Sequence, residues 1–205
     1  RYDPSAVPEE PGSSGWYKTT DLDIVNGYGI YLEGTDRLRI VNNLIGKCNK
    51  AGFFAKIVAF RIGSTRGGTS RENKLFNNIF YDCGAAAIIL PNEHNQVEGN
   101  AYSKMPGGYL RIKYPQPEMC LDLETWQEFL GFDKLGTTVD LDIEVNSKEL
   151  WMEITLNEAL PTVNSDSKVN TDYFAENPGG SRPVGPFANL VSQGKIRFNI
   201  DPRKL

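Results

Sequence analysis

The chain has 205 residues, 40% hydrophobic and 23% charged, with a formal net charge of −4. That length and balance describe one ordinary globular domain, or one domain with an appendage, and exclude wholesale disorder. They also exclude a general nucleic-acid binder, which needs a basic field. Three widely spaced cysteines and a single histidine, His94, leave no disulfide framework, no zinc site and no multi-histidine metal chemistry. The longest apolar run, Ala85 to Leu90, falls far short of the ~18 residues of a membrane helix, so no membrane span is expected.

Residues 1–20 carry Pro4, Pro8 and Pro11 and the stretch Gly12-Ser13-Ser14-Gly15, and read as an extended lead-in segment ending at Trp16 and Tyr17. The chain begins at Arg1 rather than at a methionine, as expected of a processed chain or a piece of a longer one. The lack of a targeting segment is therefore silent on location.

From residue 21 to 112 a motif recurs. Asn42-Asn43-Leu44-Ile45-Gly46-Lys47-Cys48 is matched by Asn77-Asn78-Ile79-Phe80-Tyr81-Asp82-Cys83 and, more weakly, by Gly99-Asn100-Ala101-Tyr102-Ser103-Lys104-Met105. Each copy follows a short run of β-formers: Gly29 to Leu32, Gly52 to Ala55, and Ala86 to Ile89. Gly29 to Asn43 and Ala86 to Asn100 are both 14 residues apart, whereas Gly52 to Asn78 is 26. A polar insertion over Arg61 to Glu72 accounts for the excess; without it the asparagines are spaced by 23 and 22. Such a period of short apolar runs, with no helical periodicity and no Leu-x-x-Leu-x-Leu pattern, predicts coils of a parallel β-helix, a solenoid.

Stacked coils bring equivalent residues into columns. The predicted columns are Ile40/Leu75/Val97, Ile45/Phe80/Tyr102, Cys48/Cys83/Met105 and the asparagines Asn43/Asn78/Asn100. Asparagine tolerates left-handed backbone angles, and its amide can bond its equivalent one coil away, so the last column predicts a turn ladder. Gly108 to Ile112 opens a further coil, with its register open by one residue.

From Lys113 the period stops. Leu121 to Phe132 predicts a short amphipathic helix, with Asp122 and Glu124 in its first turn. Val139 to Val145, Leu150 to Leu156 and Ile196 to Ile200 predict strands, and residues 162–186 a loop. Residues 113–205 are thus expected to form a C-terminal cap and tail.

At this point the chain resembles the C-terminal part of secreted, pectate-lyase-like right-handed β-helix proteins. The resemblance rests on the Asn-Asn-x-Ile/Phe-x-x-Cys coils, on Asn95 to Tyr102 and on Leu121 to Gln127. It also rests on Asp172-Tyr173-Phe174 followed by Gly185-Pro186-Phe187, similar to the close of bacterial β-helix glycoside hydrolases. It spans roughly residues 21 to 190. It implies an all-β, right-handed parallel β-helix and an extracellular or periplasmic, carbohydrate-active protein. Members of the class include hydrolases, lyases, esterases and non-enzymatic adhesins, so the fold alone selects no reaction.

Glycoside hydrolysis uses two carboxyl groups flanking the bond. Glu33, Asp36, Glu72, Asp82 and Glu93 are the carboxyl groups on the coils, and Asp82 and Glu72 are the candidate catalytic pair. Asp82 shares a column with Lys47 and Lys104, which reads either as an exposed charge ladder or as a carboxylate held ionised between two ammonium groups. Glu33 and Lys56 share a column on the first strand, on the face that forms the sugar groove in the resembled family. Arg61, Arg66 and Arg71 sit in the insertion and suit the carboxylates of uronic acids. His94 is a candidate sugar ligand beside them. No cofactor or metal is called for.

The expected function is glycoside hydrolysis of a complex polysaccharide. The alternatives are a non-catalytic carbohydrate-binding or cell-surface segment and a polysaccharide lyase acting on uronic acids. The expected partners are a poly- or oligosaccharide and, at the exposed N-terminal end of the stack, the rest of a parent chain or a second polypeptide.

Overall fold

A computed structural model describes residues 27–33, 36–48, 51–56, 70–89, 94–105, 109–112, 119–190 and 192–204. The lead-in segment 1–20 and Arg61 and Arg66 lie outside the described residues. The described chain is mostly β, with one short α-helix.

The strands come in a fixed rotation. β1 (Tyr28–Glu33), β4 (Ala51–Lys56), β7 (Ala87–Ile88) and β10 (Leu110–Ile112) pair in parallel in one sheet, and β11 (Met119–Leu121) adds to β10 antiparallel. β2 (Arg39–Val41), β5 (Lys74–Phe76) and β8 (Gln96–Glu98) form a second parallel sheet. β3 (Leu44–Gly46), β6 (Ile79–Tyr81) and β9 (Ala101–Ser103) form a third, extended by β12 (Thr137–Thr138). One passage through the three sheets is termed a circuit below.

The register is the one the columns predict. Ile40 faces Leu75 and Leu75 faces Val97, while Ile45 faces Phe80 and Phe80 faces Tyr102. The open register of the further circuit resolves as Leu110 opposite Ala87, a 23-residue step. A Cβ on Gly52 would stand 2.6 Å from Phe80 Cδ1, so the bare glycine lets β4 close onto that ring.

Strands of three residues must be joined by sharp corners, and each corner uses a left-handed residue. The columns are Arg37/Glu72/His94 (φ 58°, 54°, 54°), Asn42/Asn77/Gly99 (58°, 57°, 68°) and Lys47/Asp82/Lys104 (57°, 51°, 52°). This corrects the turn reading: the left-handed angle belongs to the residue before each ladder asparagine. Arg71 bridges in parallel to Asp36, and Glu72 takes the corner place of Arg37, so both belong to the repeat rather than to the insertion.

The asparagines themselves tie the circuits together. The Asn43 backbone N–H and Nδ2 both donate to Asn78 Oδ1 at 2.9 Å. Asn78 repeats this toward Asn100 Oδ1, at 2.9 and 3.0 Å. Each Nδ2 also reaches a strand carbonyl, Asn78 to Ile40 and Asn100 to Leu75. A second ladder stands five residues earlier, where the Asn73 backbone N–H and Nδ2 donate to Asn95 Oδ1 at 3.1 Å. Asn73 Oδ1 in turn accepts from Leu38 N–H at 3.0 Å.

The first ladder ends on a carboxylate. Thr137 pairs with Ala101, which places Gly136 where the next asparagine would stand. A Cβ on Gly136 would lie 2.5 Å from the Asp133 carboxyl carbon, so Asp133 fills the space of the missing side chain. Its Oδ1 accepts the Asn100 backbone N–H, and its Oδ2 accepts Asn100 Nδ2, both at 3.1 Å, while the Tyr102 hydroxyl also donates to Oδ2. Asp133 is fully buried, and burial raises its pKa from 3.8 to about 6, against the lowering effect of the Tyr102 and Asn100 hydrogen bonds.

The helix α1 (Leu123–Leu130) is shorter than the span expected. Asp122 is its N-cap, accepting from Thr125 N–H at 2.8 Å, and the left-handed Gly131 closes it. Its buried Trp126 meets Tyr102 at 5.9 Å, and Tyr102 stacks on Phe80 at 5.6 Å, so the helix covers the last circuit's apolar section.

The antiparallel β13 (Leu141–Asn146), β14 (Trp151–Leu156) and β17 (Gly194–Asn199) build a second core. Leu141, Ile154, Leu156, Phe187 and Phe198 cluster there with Ile79, Tyr81 and Ala101 of the third parallel sheet. Within 162–186, expected to be loop, β15 (Thr162–Asn164) pairs with β16 (Ser181–Pro183). The local sequence there is turn-rich, and pairing with a distant segment overrides it. This hairpin docks on a corner, since Asn77 Nδ2 donates to Asn164 O at 3.0 Å.

Asn78→Ala should lose ~3–5 kcal/mol, because it orphans buried partners on two circuits. Asn43→Ala, at the half-buried end of the ladder, should lose less. Urea denaturation of both variants checks the order.

Asp133 also sets a pH dependence. Its folded pKa lies above the unfolded one, so the native state holds the proton more tightly. Its contribution to stability should be full below about pH 4, fall by roughly 3 kcal/mol as pH rises through 6, and then level. Asp133→Asn offers one amide oxygen to both Asn100 donors, as in the circuit below, and should flatten that slope in denaturation curves taken from pH 4 to 7.

Candidate functional site

The outer face of the second sheet and its neighbouring corner form an open cleft of about 310 Å3. Its walls are the corner column Arg37/Glu72/His94 and the first residues of β2, β5 and β8, Arg39/Lys74/Gln96. Alternation explains the second set: Ile40, Leu75 and Val97 point into the core, so the residues before them point out. The left-handed corner swings the first set outward beside them.

Three cations and one carboxylate line this cleft. Arg37 reaches Asp36 at 3.4 Å and Glu72 at 4.0 Å, with side chains 68% and 45% exposed for Arg37 and Glu72, so solvent screens the pair. Arg71 Nε sits 3.5 Å from Asp36, just outside the lining. Arg39 is anchored by Asp166 from the tail. The arrangement offers fixed guanidinium and ammonium donors to an anion, beside a histidine and an amide that suit hydroxyl groups.

The expected site residues separate into three places. Glu72 and His94 line this cleft, with Arg71 just outside it. Asp82 stands at a different corner, 3.7 Å from Lys47, while Lys104 pairs with Asp142 instead. Both lysines lie over the Tyr81 ring, at 5.6 and 5.5 Å. The hydrogen bond to Asp142 raises the pKa of Lys104. The alternating column is thus broken: Asp82 pairs with one ammonium group, not two. Asp82 and Glu72 thus stand at different corners of the circuit. Glu33 and Lys56 are register partners across β1 and β4, as expected. Arg61 and Arg66, expected with Arg71 and Glu72, lie outside the described residues.

Arg37, Arg39, Lys74 and Gln96 escaped the sequence reading. The same column spacing that located the asparagines contains them, since Arg37, Glu72 and His94 repeat the spacing of Asn43, Asn78 and Asn100. Among the described residues no group of three potential metal ligands gathers, and no helix is long and apolar enough to cross a membrane. No protein-family model matches the chain, and no curated protein or solved structure matches it.

The corner at Asp82 has a backbone consequence. Asp82→Asn should change stability by less than ~0.5 kcal/mol, since asparagine accepts the left-handed angle and the ion pair is exposed. Asp82→Val should cost ~1–2 kcal/mol, because a β-branched side chain resists that angle. Chemical denaturation of the two variants distinguishes a corner role from a charge role.

Proposed function

We propose that the chain is a segment of a right-handed parallel β-helix from an extracellular or periplasmic carbohydrate-active protein, and that it binds an acidic oligosaccharide at the corner cleft. The strand rotation, the in-register columns and the two asparagine ladders support the β-helix reading. The observation that carries the ligand is the cleft lining: Arg37, Arg39 and Lys74, balanced in part by Glu72 in the lining and by Asp36 and Asp166 beside it, with His94 and Gln96 on the next circuit. Uronate carboxylates suit the cations and sugar hydroxyls suit the histidine and the amide.

Hydrolysis by Glu72 and Asp82 is the weaker reading, since those groups occupy separate corners. A hydrolase needs a second carboxyl group ~5 to 10 Å from the first, and Asp36 is the one beside Glu72. A lyase would use the same cations to neutralise the uronate.

The test is calorimetric titration with oligogalacturonate. Replacing Arg37 and Lys74 together by Ala should weaken binding at least ~10-fold, while exposed changes of this kind leave stability within ~0.5 kcal/mol per site. Unchanged affinity in the double variant discards the cleft. New reducing ends would mark a hydrolase, an unsaturated product a lyase, and binding without either a binding segment.

A further inference from the structure

We propose that Cys48 and Cys83 are an oxidation site, at which a hydroperoxide joins the two thiols in a disulfide that links the first circuit to the second. The proposal stands on the register of the stack and does not rest on the ligand assigned to the corner cleft.

The two cysteines hold the same place in successive circuits, five residues past Asn43 and Asn78. Backbone pairing brackets them. Lys47 N–H donates to Tyr81 O before the pair, and Gly84 N–H donates to Cys48 O after it, both at 2.8 Å. Cys48 and Cys83 therefore stand opposite each other, with Cα atoms one strand spacing apart, about 4.8 Å. Disulfides span Cα separations of ~4.4 to 6.8 Å. Both side chains enter the same core cluster, so they point to the same side. Cys83 Sγ leans toward the first circuit, 3.7 Å from Ile45 O, and the two thiols hydrogen-bond to each other. Both are free.

The pair is asymmetric in access and in acidity. Cys83 is fully buried, whereas Cys48 is 9% exposed. The hydrogen bond from Cys83 lowers the pKa of Cys48 against its burial, and the same bond, together with burial, raises that of Cys83. Cys48 is thus the attacking thiolate, and Cys83 the resolving thiol that keeps its proton until the second step. Only a small oxidant reaches a sulfur so enclosed, which selects a hydroperoxide over a bulky disulfide.

In the first step Cys48 Sγ attacks the terminal peroxide oxygen. The S–O bond forms, the O–O bond breaks, and the departing oxyanion takes up the proton that Cys48 released. In the second, Cys83 Sγ attacks Cys48 Sγ. The S–S bond forms, the S–O bond breaks, and hydroxide leaves as water with the Cys83 proton. Two electrons pass from the sulfurs to the peroxide, which ends as an alcohol and water, or as two waters from hydrogen peroxide.

The cross-link acts where the stack is least held. Among the described residues β2 and β3 pair on one side only, so fewer backbone bonds hold the first circuit. That circuit carries Arg37 and Arg39, while Glu72 and Lys74 stand on the second. A bond between the two circuits keeps these walls of the corner cleft in register.

The test treats the full chain with hydrogen peroxide, alkylates the remaining thiols in denaturant and maps the peptides by mass spectrometry. The exposed Cys120 reports, in the same sample, that the oxidant sufficed. The peptides holding Cys48 and Cys83 should appear joined and two hydrogens lighter, and dithiothreitol should part them. Cys83→Ala should instead leave a sulfenic acid on Cys48 that a cyclic dione traps. In the Cys120→Ser chain the oxidised form should melt higher than the reduced one, since the bond restricts the unfolded chain. Cys48 and Cys83 both alkylated after Cys120 has been oxidised, equal trapping at Cys48 with and without Cys83, or a joined chain that melts lower than the reduced one each overturns the proposal.

Discussion

The asparagine ladder is the interaction on which the rest depends. A strand of three residues makes few ladder hydrogen bonds, and every corner between strands interrupts the backbone pairing. At the Asn43/Asn78/Asn100 column the side-chain amide takes over, one oxygen accepting two N–H groups from the neighbouring circuit. Because these groups are buried, a slip of one residue would strand them without partners, a loss of several kcal/mol. The ladder therefore sets register, and register sets which side chains meet in the core and which face solvent.

Such a ladder has to end somewhere, and its last acceptor cannot be water because the site is sealed. Asp133 supplies that acceptor from outside the repeat. Its backbone N–H is anchored on Val97 O at 2.7 Å, and Gln127 Nε2 clasps the carbonyls of Asp133 and Gly136 at 2.8 Å. Helix α1 thus does two jobs: Trp126 covers the aromatic column, and Gln127 holds the turn that closes the ladder. The chemistry of closure leaves a carboxyl group buried without a cation, which is why its proton affinity rises.

The same repeat that satisfies the interior arranges the exterior. At the Arg37/Glu72/His94 corner the side chains face outward, and equivalent corners lie one strand spacing apart, about 4.8 Å. Arg37, Glu72 and His94 are thereby held as a column on a rigid frame, next to the outward column Arg39/Lys74/Gln96. The tail contributes Asp166 to this surface, and its hairpin docks at Asn77.

What the sequence by itself determined was periodic: the columns Ile40/Leu75/Val97 and Ile45/Phe80/Tyr102, the ladder asparagines, and the helix and strands after Lys113. Periodicity is legible because each repeat solves the same local problem with the same residue types. The column rule also held Arg37, Arg39 and Lys74, which a search for acid pairs passed over. Tertiary structure alone decided the rest. The substitution of Asp133 for a ladder asparagine joins residues 33 positions apart, and no local pattern marks such a contact. The pairing of Lys104 with Asp142 and the β15–β16 hairpin are likewise meetings of segments distant in sequence. Their energies come from long-range burial and charge, which composition and spacing do not encode.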